Sequence, residues 1–165
     1  MPINVIPHRP ILGTRQLAWN DEAACGAFAR ALAAQPALRE AYIELHGPLG
    51  AGKTTFVRHL LRALGVEGRI KSPTYAVMEP YALQGQAVSH FDFYRFGDPR
   101  EWEDAGFREV FAAPGLKIAE WPDKAAGLVP TADLVLTIDP VDDERREVML
   151  QAFTPRGLAL LEAAA

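Results

Sequence analysis

The residues best suited to chemistry are concentrated in Gly47-Pro48-Leu49-Gly50-Ala51-Gly52-Lys53-Thr54, a full match to the phosphate-binding pattern G-x-x-x-x-G-K-[ST]. Glycines let the backbone curl so that successive N–H groups point inward at phosphate oxygens. A helix that follows adds unpaired N-terminal amides and the positive end of its dipole. Lys53 brings a mobile positive charge suited to β and γ phosphates, and the Thr54 hydroxyl is the expected Mg²⁺ ligand. Such a loop carries meaning only between a strand and a helix. Both are present, because Tyr42, Ile43 and Leu45 form a β-prone run that stops at Gly47, and Thr55 to Leu64 has helical character. The competing reading is a glycine-rich structural turn, and the lysine and hydroxyl at the required places weigh against it.

A nucleotide hydrolase of this kind needs a further acid at the end of a neighbouring strand. Three candidates exist: Asp92 in HFDFYRF, Glu120 in LKIAEW and Asp139 in DLVLTID. Asp139 closes the cleanest apolar strand, so pattern alone favours it. Yet it opens into the short charged link DPVDDERRE within an expected antiparallel pair, whereas the functional edge of such a sheet lies at the carboxyl ends of parallel strands. The residues by themselves leave the choice open. A carboxylate in an aromatic strand is costly to bury alone, which places Asp92 at the strand's open end or in a pair, with a structural role or a catalytic, metal-linked one.

The elements that must position these groups read as follows. Residues 1–10, with Pro2, Pro7 and Pro10, form a loose leader, and 11–165 a single domain. A short strand at 11–19 precedes a helix capped by Asn20 or Asp21 and ended by Pro36. Strand 41–46, the glycine loop and helix 53–64 follow, with Gly65 as the helix cap. Thr74 to Met78 reads as a strand. Gln86 to Phe96 alternates Val88, His90, Asp92 and Tyr94 against Phe91, Phe93 and Phe96, a strand with one aromatic face. An acidic amphipathic helix is expected within 97–113, then strands at 116–121, 133–139 and 147–153 and a short closing helix. The link Pro140 to Arg146 is too short for a crossover, so the last two strands are antiparallel. The fold class is α/β: a P-loop NTPase-like three-layer α/β/α arrangement with a mixed, mostly parallel sheet.

Composition narrows the function classes. The 165 residues carry a net charge of −4, which supplies no basic field to attract nucleic acid. The single cysteine, Cys25, excludes an intrachain disulfide and a cysteine zinc cluster and reads as a small buried apolar residue. No run of eighteen apolar residues spans a membrane, and MPINVIPHRPILG does not read as a signal peptide, so a cytoplasmic protein is expected.

Four stretches in this order and spacing, GPLGAGKTTFVR, KSPTY, HFDFYRF and AEWPDK, resemble the bacterial TsaE (YjeE) family, small ATPases needed to make threonylcarbamoyladenosine in tRNA. The resemblance covers about residues 20–150. SPTY with DFYR and EW is far more specific than the phosphate loop, which many families share. The resemblance implies an ATP site across Gly47, Leu49, Gly50, Ala51, Gly52, Lys53, Thr54 and Thr55, with Lys53 also catalytic. It implies Mg²⁺ held by Thr54 and Glu120, in place of Asp139. It implies a hydrolytic role for Asp92, a switch-like role near the γ phosphate for Thr74, and a supporting one for Trp121. The family often has a threonine where Cys25 aligns and an acid where Pro48 stands. Implied partners are TsaD and TsaB, with tRNA reached only through that complex and no membrane.

Other functions are less well supplied. A small-molecule kinase needs an acceptor site and usually an arginine-rich lid, and the arginines here are scattered. A GTPase normally reads guanine with N-K-x-D, and neither Asn4 nor Asn20 precedes a lysine. No arginine finger stands out in cis, although Arg95 and Arg145 are candidates, so slow turnover alone is expected.

Overall fold

The computed structural model describes residues 9–73 and 76–164. In chain order the elements are β1 (Gly13–Trp19), α1 (Glu22–Ala33), a 3₁₀ turn (Pro36–Glu40), β2 (Tyr42–His46), α2 (Lys53–Ala63), β3 (Met78–Leu83) and β4 (Gln86–Asp92). Then come α3 (Pro99–Asp104), α4 (Phe107–Ala112), β5 (Leu116–Glu120), a second 3₁₀ turn (Pro122–Ala125), β6 (Leu134–Pro140), β7 (Arg146–Ala152) and α5 (Pro155–Ala163). The seven strands form one sheet in the order β1-β7-β6-β2-β5-β4-β3. β6, β2, β5 and β4 run parallel, while β7 and β3 pair antiparallel with the two ends of that group. The final pair is antiparallel, as the short link requires, and the α/β class with a mixed sheet stands.

Period-2 alternation sorts side chains between two cores. Ile43, Leu45, Val88, Leu116, Ile118, Leu134, Leu136, Ile138, Val148 and Leu150 face one side, where α1, α2 and α5 cover them with Phe28, Phe56, Leu60 and Leu160. Tyr42, Phe91, Ala119 and Val135 face the other, against Trp102 of α3, Phe107 of α4 and the loop residues Phe93 and Phe96. α2 buries Phe56, Val57, Leu60 and Leu61 on one face, at 3.6-residue spacing. Each fully buried Leu or Phe contributes about 1.5–3 kcal/mol.

Three expectations need correction. The strand sought at 74–78 begins at Met78, because Val77 adopts φ 67° and turns the chain; Thr74 itself lies outside the described residues, as do residues 1–8 of the leader. The strand from Gln86 stops at Asp92, and Phe93–Phe96 closes a turn instead, with Phe96 N–H donating to the Phe93 carbonyl at 2.9 Å. The helix expected within 97–113 is two short ones, broken at Gly106, whose φ of 69° no helix continues through. The edge strand β3 carries Pro80 opposite Ser89. Among the described residues no helix is long and apolar enough to cross a membrane.

Asp133 ties the sheet's amino end to the last helix. Its carboxylate accepts from Tyr42 N–H at 2.7 Å and from the Thr154 hydroxyl at 2.6 Å, and its carbonyl accepts from Phe153 N–H at 3.0 Å. α5 lies so close that a Cβ on Gly157 would stand 1.7 Å from that carbonyl oxygen. Gly157→Ala is therefore expected to lose about 1–3 kcal/mol of unfolding free energy in a urea titration; an unchanged midpoint would refute this packing.

Candidate functional site

β2 lies between β6 and β5, so the carboxyl ends of β2, β5 and β4 open into the crevice where ligands bind in such sheets. Register aligns the acids. Leu45 of β2 pairs with Glu120, and Glu120 with Asp92, setting both carboxylates at the same level on the face covered by α2. Gly47 ends β2 at φ 150°, where a Cβ would come within 2.5 Å of the Ile138 carbonyl oxygen. Only glycine fits there. Gly50 and Gly52 also take positive φ, 77° and 103°. Gly52 caps α2 with no side-chain hydrogen bond, leaving the first amides of the helix to an anion.

Leu49, Gly50, Ala51, Gly52, Lys53, Thr54, Thr55, Asp92, Glu120 and Trp121 border one cavity of about 440 Å³. Gly47 adjoins it through its carbonyl, which accepts from the Lys53 ammonium. That ammonium also lies 3.6 Å from the centroid of the Trp121 ring, a cation–π contact. Burial pulls the Lys53 pKa below its usual value, and the Glu120, Asp92 and Asp123 carboxylates oppose that shift. The Thr54 hydroxyl donates to Glu120 Oε1 at 2.9 Å. Asp92, nearly buried, accepts from the Ser72 hydroxyl at 3.1 Å and from Tyr94 N–H at 3.0 Å. It is thus both at the open end of its strand and paired.

Among the described residues two non-glycine residues have left-handed backbone, Val77 and Trp121, and both adjoin these acids. Trp121 follows Glu120 directly, and the Val77 carbonyl accepts from Asp92 N–H at 2.8 Å. Such conformations cost about 1–3 kcal/mol and persist where surroundings over-determine them.

Hydroxyl and carboxylate oxygens are the hard donors that Mg²⁺ takes, so Thr54 and Glu120 fit that ion. Among the described residues no three His, Cys, Asp or Glu cluster as a metal cage. Magnesium usually needs none, since phosphates and waters complete its shell.

Asp139 is exposed and borders a separate groove with Gln16 and Glu147. Ile138 takes the α2 side of β6, so its neighbour points to the opposite face. Arg145 is held by Asp142, with its Nε donating at 2.7 Å, and does not border the cavity, whereas Arg95 does.

Three further residues belong to the site. Ser72 orients Asp92. His90, fully buried, meets Glu120 Oε2 at 2.6 Å. Arg146 Nε donates to the Ala51 carbonyl at 2.8 Å, bracing the glycine loop from β7. Parity contains the signal for two of them: His90 shares a face with Asp92, and Arg146 with Val148 and Leu150. Arg146, Ala51, Gly52 and Thr55 also border a second cavity of about 270 Å³, walled by Trp19, Glu22 and Cys25.

Residues 19–148 match the family model described as threonylcarbamoyl adenosine biosynthesis protein TsaE. The chain belongs to the TsaE family. It is 41% identical over 121 residues to the tRNA threonylcarbamoyladenosine biosynthesis protein TsaE of Haemophilus influenzae, covering 73% of this chain and 76% of that one. The Bacillus subtilis protein of the same name is 33% identical over 73% of this chain and 75% of its own. The crystal structure of Bacillus subtilis YdiB superposes with a TM-score of 0.74 at 27% identity, covering 92% of this chain and 95% of that one.

Burial, with Glu22 adding to it, pushes the Cys25 thiol up to about 12, against a smaller lowering by Arg146. The thiol therefore stays protonated at pH 8. A disulfide reagent such as DTNB at that pH is expected to leave the native chain unlabelled and to react promptly once urea unfolds it. Rapid labelling of the native protein would contradict the burial described.

Proposed function

We propose that this family member is a Mg²⁺-dependent ATPase of tRNA threonylcarbamoyladenosine formation, working on TsaD–TsaB-type partners. The observation that carries the reading is the convergence of Lys53, Thr54, Asp92 and Glu120 on one glycine-lined cavity. The loop amides and the open end of α2 take the β phosphate. Lys53 exchanges the Gly47 carbonyl and the Trp121 ring for oxygens of the β and γ phosphates. The second cavity, with Trp19 on its wall, receives the adenosine half. Thr54 and Glu120 would hold magnesium, which would supply positive charge to offset that developing on the transferring phosphoryl group.

Asp92 orients a water, its own oxygens fixed by Ser72 and Tyr94. Water oxygen bonds to the γ phosphorus, the bond to the β–γ bridging oxygen breaks with its electron pair, and ADP and phosphate leave. Thr74 acts as a switch-like contact near the same phosphate. Arg146 is tied to backbone carbonyls by its Nε and Nη1 and does not serve as a finger, while Arg95 borders the cavity as the candidate in cis. Turnover alone is slow until partners engage. Leu49 at the loop tip is 67% exposed and Tyr94 39%, an apolar rim at the cavity mouth for a partner to cover. Residues 11–165 act as one unit in the cytoplasm, and tRNA is reached only through the complex.

ATP binding and hydrolysis with and without TsaD and TsaB homologues test this. Lys53→Ala is expected to abolish nucleotide binding. Asp92→Asn is expected to keep it while lowering turnover about 10²–10⁴-fold. Partners should raise the rate and bind more tightly with ATP present. Labelled ATP should release free phosphate; label transferred to a small acceptor would favour a kinase instead, and partners without effect would remove the assembly role.

A further inference from the structure

His90 is the one fully buried ionisable side chain among the described residues of the acid cluster, and nothing in the reaction above uses it. It lies on β4 two residues before Asp92, opposite Ile118 of β5, and therefore one side-chain step beneath the two carboxylates. Its Nε2 stands 2.6 Å from Glu120 Oε2, while Glu120 Oε1 accepts from the Thr54 hydroxyl. The other ring nitrogen, Nδ1, is buried with no hydrogen-bond partner. A carboxylate oxygen accepts, so the Nε2–Oε2 contact needs the hydrogen on Nε2. The ring offers one donor, in one direction, to one oxygen.

We propose that His90 is a positioning residue for magnesium. By holding Oε2 from below, it fixes the rotamer of Glu120 so that only Oε1 is presented to the Thr54 hydroxyl and the phosphates. Without that donor the carboxylate is free to turn both oxygens toward the cation or toward the nearby Lys53 ammonium, and the ligand loses its preset direction. Groups that orient a metal ligand from outside typically govern affinity about 10–100-fold. The proposal rests on the Mg²⁺-nucleotide reading of the same cavity.

The test is a Mg²⁺ titration of the full chain saturated with the non-hydrolysable analogue AMP-PNP, read by tryptophan emission and by melting temperature. AMP-PNP affinity in EDTA is measured beside it. His90→Leu removes the donor at similar bulk. His90→Asn keeps polarity but is too short to reach Glu120. His90→Gln restores a donor at about the reach of Nε2. The half-saturating Mg²⁺ concentration is expected to rise about 10–100-fold in the Leu and Asn variants and to return to within a few-fold of the parent in the Gln variant. Affinity in EDTA should be the same in all. Should Leu fail to fold, Asn carries the comparison.

An unshifted Mg²⁺ requirement in the donor-less variants overturns the proposal. So does an equal shift in Gln and Asn, which would mark His90 as packing only, and so does a matching loss of affinity in EDTA. A parent that binds AMP-PNP with no response to Mg²⁺ removes the metal reading itself and this inference with it, an outcome distinct from variants that merely behave like a responsive parent.

Discussion

The parallel register of β2, β5 and β4 is the constraint on which everything at the crevice depends. Leu45, Glu120 and Asp92 stand side by side because three strands end at one level. A one-residue slip of β5 would send Glu120 to the far face, among the aromatic side chains, and put Ala119 or Trp121 beside Thr54. The apolar alternation of Leu116 and Ile118 on one side and Ala119 on the other resists that slip, since moving it would turn two fully buried side chains out of their core. Core packing and the placement of the acids are thus the same physical fact.

Around that line of acids the protein arranges charges that would be expensive singly. Lys53, Asp92 and Glu120 are all buried, and each has a partner: Lys53 the Gly47 carbonyl and the Trp121 ring, Asp92 a hydroxyl and an amide, Glu120 a hydroxyl and an imidazole. Burying a charge is tolerated where hydrogen bonds replace water. The partners of Lys53 are a carbonyl and a ring face, weaker than the phosphate anion for which the loop is shaped. The ammonium is held ready without being neutralised by a tight ion pair.

Much of this was legible in residue order. The glycine loop, its flanking strand and helix, the last antiparallel pair and the two-faced character of Gln86–Asp92 follow from local pattern. What pattern could not supply was adjacency. Asp139 ends a cleaner apolar strand than Glu120, and β6 and β5 both flank β2; what separates the two acids is parity, since Ile138 rather than Asp139 takes the side covered by α2. The family resemblance pointed to Glu120 where spacing left the choice open. Val77 and Trp121 were unreadable for another reason: nothing in a β-branched or bulky side chain advertises a left-handed backbone. His90 and Arg146 were within reach of parity, yet their bonds to Glu120 and Ala51 join segments far apart in the chain.

Pro80 in the outermost strand β3 has a bearing on how copies of this chain behave at high concentration. An edge strand with every amide intact invites another chain to zip alongside it. A proline lacks the hydrogen for one rung of that ladder, and its ring fixes the local torsion. At this rim of the sheet, edge-to-edge stacking is interrupted midway, so the nucleating step of fibrous self-association is discouraged by one imino acid at no expense to the crevice on the other side of β4.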